Sequence, residues 1–273
     1  MALDPVLTGA LKALGPYLDQ VVVVGGWVPY LYAACERASA SSVLLRTRDV
    51  DLAVPRTVPR LAKSLDQQFE EAGFACEFRS LDTPPVTAYV GRHEGVEVEI
   101  ELITNAQGDS EGVRTVQPGL SAQELRCVSV LLDNKWDVPL QELTEGELTG
   151  HVWVPTPAAF VFHKALAHKR RTDALKSEKD LYYIFFVLDA FGAWRAWMRA
   201  EMPKLAASSP AWFARCLQDL AAVFEDPTSA GVDALVHQRP ATAFPGMNAE
   251  QFRQYAWSVM QELLGMMRAG RPS

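Results

Sequence analysis

Two segments of the chain alternate acidic and apolar residues with a period of two. In DVDLAV, residues 49–54, Val50, Leu52 and Val54 share one face, while Asp49, Asp51 and Ala53 share the other. In VEVEIELIT, residues 96–104, Val96, Val98, Ile100 and Leu102 oppose Glu97, Glu99 and Glu101. Such alternation marks strands with one buried face, so the chain is expected to build a sheet whose other face carries carboxylates. At i and i+2, Asp49 and Asp51 are roughly 7 Å apart at their bases. Acids that close raise each other's pKa unless positive charge lies between them, and a divalent cation is the usual remedy. Solvated acids on an exposed strand face are the plain alternative.

VVVVGG, residues 21–26, is a brief apolar strand ending in a glycine pair, and a helix is predicted from about Pro29 to Ala38. Glycine permits positive φ and close backbone approach, so Gly25, Gly26 and the helix start suit a phosphate or simply a tight turn. The pattern is neither GxGxxG nor GxxxxGK[ST], which excludes Rossmann and P-loop nucleotide sites. Trp27 packs against a base or belongs to the core. Arg46 and Arg48 flank the acidic strand, one suited to phosphate and the other to solvent.

The remaining pattern organises the chain. Residues 3–19 read as a helix broken at Gly15-Pro16, Ser39–Ser42 as a loop, and residues 58–72 as a helix with Gly73 at its C-terminal end. VTAYV and VEVEIELIT form a hairpin joined through GRHEG, residues 105–119 a loop, and CVSVLL and HVWV further strands. After Thr156-Pro157, an N-cap and first helical residue, a helix is expected to about Arg170. Ser177 and Asp180 suggest a capping box for a helix over 178–190, with more helices broken near 203–210, 227–231 and 240–246. The fold class is α/β (α+β), a mixed sheet flanked by helices with a helical C-terminal region, divided into a sheet domain 1–155 and a helical domain 156–273.

With 49% hydrophobic residues and a net charge of -7 over 273 residues, the chain has a globular composition and is unsuited to broad nucleic-acid binding. Lys164, Lys169, Arg170 and Arg171 form its one obvious basic patch. Cys35, Cys76, Cys127 and Cys216 are too widely spaced for a zinc site and read as free thiols in a reducing compartment. Without a signal-peptide pattern or an 18-residue apolar span, a cytoplasmic protein with no membrane partner is expected.

GGW at 25–27, RTRDVDLAV at 46–54 and IELIT at 100–104 together resemble the nucleotidyltransferase-fold superfamily that includes DNA polymerase beta. The closer resemblance is to the bacterial branch of AbiEii-type toxin components and related transferase-fold proteins. The resemblance implies a metal site for Mg²⁺ or Mn²⁺ built from Asp49, Asp51 and Glu101, where the family usually has aspartate at the third position; Glu99 is the runner-up. It implies nucleotide binding by Gly25, Gly26, Arg46, Thr47, Lys179 and Asp180, and a catalytic part for Lys164 beside Asp49, Asp51 and Glu101. His163 and His168, which flank Lys164, suit the surface or core edge better than a ligand role. The implied reaction is transfer of a nucleotidyl group from a nucleoside triphosphate to a protein, a tRNA or a small molecule. The competing class is a weakened fold acting in binding or toxin–antitoxin-like interaction, with a partner protein the sequence does not identify.

Overall fold

The computed structural model describes residues 3–35, 45, 47–80, 87–108 and 112–270. Its contacts divide the chain into two units, one formed from Met1–Cys35 with Arg46–Thr156 and the other mainly from Pro157–Ser273. Arg46 and the Ser39–Ser42 loop lie outside the described residues.

Among the described residues the first unit holds nine strands: β1 (Val22–Val23), β2 (Asp49–Ala53), β3 (Ala75–Phe78), β4 (Thr87–His93), β5 (Val96–Asn105), β6 (Val113–Gln117), β7 (Leu120–Leu125), β8 (Lys135–Pro139) and β9 (His151–Pro155). Their spatial order is β3-β4-β5-β2-β1-β9-β8, and β7 adds to the far end of β5 with β6 beside it. The sheet is mixed. β2 runs parallel to β5 and antiparallel to β1, whereas β4 and β5 form an antiparallel hairpin. That hairpin turns tightly at Glu94-Gly95, both at positive φ, so Gly91–His93 of the expected connection belong to β4.

The same unit contains helices α1 (Pro5–Leu14), α2 (Trp27–Cys35), α3 (Leu65–Glu71), α4 (Val128–Asp133) and α5 (Leu140–Leu143). Asp4 caps α1 by accepting from the Val6 N–H, and a 3₁₀ turn over Gly15–Gln20 follows the break at Gly15-Pro16. The apolar residues of β2 and β5 behave as their alternation demands, with Val50, Leu52, Val98 and Ile100 fully buried. On the acid face the sheet changes character along its strands. Val22, Val24, Ala53 and Ile103 pack with Val128 and Leu131 of α4 in an apolar cluster, so α4 covers one end of this face. The carboxylates occupy the other end.

Several local expectations are corrected. α2 starts at Trp27, directly after the glycine turn, not at Pro29. Residues 58–64 are not helical. The Val58 N–H donates to the Val116 carbonyl, and the Tyr17 hydroxyl accepts from the Leu61 N–H and donates to the Lys63 carbonyl. These bonds hold the segment in an irregular path until Ser64 and Gln67 form a reciprocal capping box for α3. CVSVLL is helix α4, not a strand. Cys127 turns the chain at φ 62°, and the Asn105 side chain accepts from the Ser129 N–H near the helix start. The supposed loop 105–119 contains β6, paired antiparallel with β7.

The second unit is helical: α6 (Pro157–Ala167), α7 (Ala174–Ala190), α8 (Arg195–Ser208), α9 (Pro210–Val223), α10 (Ala230–Gln238) and α11 (Ala249–Ala269). α6 begins at Pro157 as expected and continues into a 3₁₀ turn through Arg170. α7 begins four residues early because Asp173 is its cap, accepting from the Leu175 and Lys176 N–H groups. Ser177 and Asp180 therefore form no capping box; the Ser177 hydroxyl donates to the His168 carbonyl. Pro203 lies inside α8 and does not end it.

Candidate active site

The parallel pairing of β2 with β5 sets the geometry. Its register places Asp49 opposite Glu99 and Asp51 opposite Glu101. One carboxylate oxygen from each of Asp49, Asp51 and Glu101 lies within 4.8 Å of the other two, and all three residues are half-buried. A one-residue slip would send these acids into the apolar core, so burial of Val50, Leu52 and Ile100 on the reverse face keeps all three on the same side of the sheet.

Three neighbouring contacts hold the β2 end of the site. The Thr47 hydroxyl lies 2.5 Å from Asp49 Oδ1 and donates to it. The indole Nε1 of Trp27 donates to the Asp49 carbonyl at 2.9 Å; Trp27 is buried in the core, so its side chain fastens the start of α2 to β2. The Val24 N–H donates to the Asp51 carbonyl at 2.9 Å.

Gly25 follows at φ +68°, and a Cβ built there would meet Asp51 Oδ2 at 1.9 Å. Only glycine fits between that turn and that carboxylate without displacement. The turn places the start of α2, the positive end of its dipole, beside the acids. Gly26 completes the turn. Arg48 is exposed.

The runner-up, Glu99, is engaged elsewhere. Its Oε1 pairs with Arg79 Nη2 at 3.1 Å, and Arg79 Nη1 pairs with Glu77 at the same distance. Arg79 carried no recognisable signal in the sequence, because its position over Glu99 depends on the order of β3, β4 and β5.

In the second unit, Lys164 and Asp180 form one buried group. Lys164 Nζ donates to Asp180 Oδ1 at 2.5 Å, and Arg171 Nε donates to Asp180 Oδ2 at 2.9 Å. The lysine and aspartate side chains are only 8% and 3% exposed, against 40% for Arg171. Burial pushes the Asp180 carboxyl up, but Lys164 and Arg171 outweigh it and hold the group below the usual carboxylate range. Lys164 also lies 5.2 Å from the Tyr183 ring centroid, and Lys179 lies 5.6 Å from it on its own approach. Burial and the neighbouring Lys164 push His163 down to about 3, while burial and Lys169 push His168 down to about 4. Both imidazoles are therefore neutral near pH 7. His168 is 4% exposed, and its Nε2 has no hydrogen-bond partner among the described residues. Lys169 and Arg170 are exposed.

A family model described as nucleotidyltransferase matches residues 6–202. The chain belongs to the nucleotidyltransferase family. The family anticipated from GGW, RTRDVDLAV and IELIT is thus the one matched, and nucleotidyl transfer is its general activity. Among solved structures, MenT4, a nucleotidyltransferase toxin from Mycobacterium tuberculosis H37Rv, is similar at 11% identity and a TM-score of 0.34, over 97% of this chain and 85% of that one. A likeness at that score does not bear on function. No curated protein matches. No helix among the described residues is long and apolar enough to cross a membrane.

A nucleotidyltransferase must manage the negative charge of a triphosphate. Three carboxylates cannot do so alone, since they repel it. As hard oxygen donors on one surface, Asp49, Asp51 and Glu101 match the ligand preference of Mg²⁺ or Mn²⁺.

Proposed function

We propose that this nucleotidyltransferase transfers a nucleotidyl group from a nucleoside triphosphate to an acceptor hydroxyl, with Mg²⁺ or Mn²⁺ bound by Asp49, Asp51 and Glu101. The observation that carries this reading is the gathering of those carboxylates, from two paired strands, within 4.8 Å and beside the Gly25 turn. When bound, the divalent cations supply charge neutralisation at the reacting phosphate and at its pyrophosphate leaving group.

The chain's own groups do the positioning. Thr47 orients Asp49 by donating to Oδ1. Trp27 holds the backbone of Asp49 through its carbonyl. The Gly25-Gly26 turn and the start of α2 offer the β- and γ-phosphates an approach to backbone N–H groups without Cβ obstruction. On this reading Glu101, which pairs across from Asp51, takes the acceptor hydroxyl's proton as the oxygen attacks the α-phosphorus. Catalysis on this reading comes chiefly from orientation and preorganised charge.

Lys164, Lys179 and Asp180 enter from the resemblance, Lys164 as a catalytic group and the other two toward nucleotide. Because Asp180 accepts directly from Lys164, substitutions at the two positions are expected to act as one.

The test is to incubate the protein with each labelled nucleoside triphosphate and Mg²⁺ or Mn²⁺, with and without total cell RNA. Pyrophosphate release and a labelled product are expected, and both are expected to disappear in D49A and D51A. Product formed equally well by those variants would remove the carboxylates from the mechanism.

A further inference from the structure

The acid face carries one more carboxylate beside the metal cluster than the cluster uses. Parallel pairing puts Glu99 directly across from Asp49, in the same relation that Glu101 has to Asp51. By position along the strands, either glutamate is a neighbour of the aspartate pair, and both are half-buried. Only Glu101 joins Asp49 and Asp51 in the group whose oxygens converge. The difference is Arg79. Its guanidinium, two residues beyond Glu77, is held between Glu77 and Glu99 with a 3.1 Å contact to each. The planar fork of arginine suits it to bridge two carboxylates in fixed directions.

We propose that Arg79 is a positioning residue that selects the third metal ligand. It draws Glu99 toward Glu77 and the end of β3, leaving Glu101 as the carboxylate that completes the set with Asp49 and Asp51. It also cancels one negative charge on a crowded acidic face, where an unpaired Glu99 would compete for the cation. The inference rests on the metal-binding reading above and deepens it. Arg79 need touch neither nucleotide nor metal to act in this way.

The test is Mn²⁺ binding to the full chain without nucleotide, followed by calorimetry and by the manganese paramagnetic resonance spectrum. E101Q is expected to weaken binding by about tenfold or more, while E99Q leaves affinity and spectrum unchanged. Arg79→Met frees Glu99 and is expected to tighten Mn²⁺ binding by roughly three- to tenfold, with an altered spectrum. Adding E99Q to that variant is expected to restore both to their original values. Binding weakened as much by E99Q as by E101Q would overturn the proposal, even if Arg79→Met fails to fold. So would a folded Arg79→Met protein with unchanged affinity and spectrum. D49N and D51N separate the two levels: unchanged Mn²⁺ binding in both would remove the metal reading and the selection of its ligand together. Weakened binding in both, with E99Q as damaging as E101Q, would overturn the selection alone.

Discussion

Replacing Gly25 with alanine should damage the site out of proportion to the fold. Two independent costs act at this position. The backbone is at φ +68°, where a residue with a Cβ is disfavoured by roughly 1–2 kcal/mol. The added methyl would also stand 1.9 Å from Asp51 Oδ2, about 1.1 Å inside the 3.0 Å approach that real Cβ atoms almost never breach. The nearest atom is the end of a short side chain, so the carboxylate is what moves. A stability loss of about 1–3 kcal/mol is therefore expected in urea denaturation, since a modest side-chain shift relieves much of the clash. A displacement near 1 Å at a group that must meet reacting phosphates costs on the order of a hundredfold in rate. Nucleotidyl transfer measured at saturating Mg²⁺ should fall by that factor in a variant that remains folded at 25 °C. Mn²⁺ affinity should fall with it, because Asp51 is displaced before substrate arrives. Folded Gly25→Ala protein with unchanged transfer and unchanged Mn²⁺ binding would refute the reasoning, since Asp51 would then not need its present position.

Other substitutions probe the supports of the site and the second unit. Thr47→Val removes the donor to Asp49 Oδ1 and should weaken Mn²⁺ binding about tenfold, read by calorimetry, with little change in melting temperature. Asp180→Ala leaves Lys164 buried without its carboxylate and should cost about 3–5 kcal/mol in chemical denaturation. In the native chain the low Asp180 pKa contributes stability that is fully present above the ordinary carboxylate value of 3.8. That contribution is lost as pH falls through the still lower folded value, so the gap between native and Asp180→Asn stability should narrow in acid. His168 has the same sign by another route. It is held neutral down to about 4, whereas the unfolded imidazole takes a proton near 6.5. Its contribution is thus complete above pH 6.5 and declines as pH falls toward 4, by about 3 kcal/mol in all. Denaturation curves between pH 7 and 4 should show this slope together with one of the same sign from His163, held neutral down to about 3; His168→Leu should remove its own share and leave that of His163.

The parts of the fold legible in the sequence were those with a strong local period. DVDLAV and VEVEIELIT announced both their strand character and their acid face, because burial on one side leaves every second residue to the other. Register was less accessible. Burial of Ile100 against the same core as Val50 and Leu52 puts Glu101 on the face of Asp51, but that Asp51 lies directly across from Glu101 rather than Glu99 is set by the pairing of β2 with β5, a non-local condition. CVSVLL misled because a short run of valines and leucines suits a strand or a helix. The deciding contact, Asn105 to the Ser129 N–H, comes from more than twenty residues away. β3 has no apolar alternation to find, since all four of its residues are exposed. Ser177 and Asp180 had the spacing of a capping box, but the charge of Lys164 claimed the aspartate.

The site shows the same division. Asp49, Asp51 and the glycine turn could be located from motif and spacing, and Thr47 from its place before them. What Trp27 does was open between a base and the core; its bond to the Asp49 carbonyl joins the core to the site. That Glu101 and not Glu99 converges with the two aspartates could not be read from spacing, nor could the pairing of Glu99 with Arg79, which depends on the order of the strands.

The most direct measurement is a crystal structure of the protein with Mn²⁺ and a non-hydrolysable nucleoside triphosphate analogue, using manganese anomalous scattering to locate the ion. Anomalous density among Asp49, Asp51 and Glu101, with the triphosphate beside Gly25 and Gly26, is the expected result. Nucleotide bound with no manganese at those three carboxylates would contradict it.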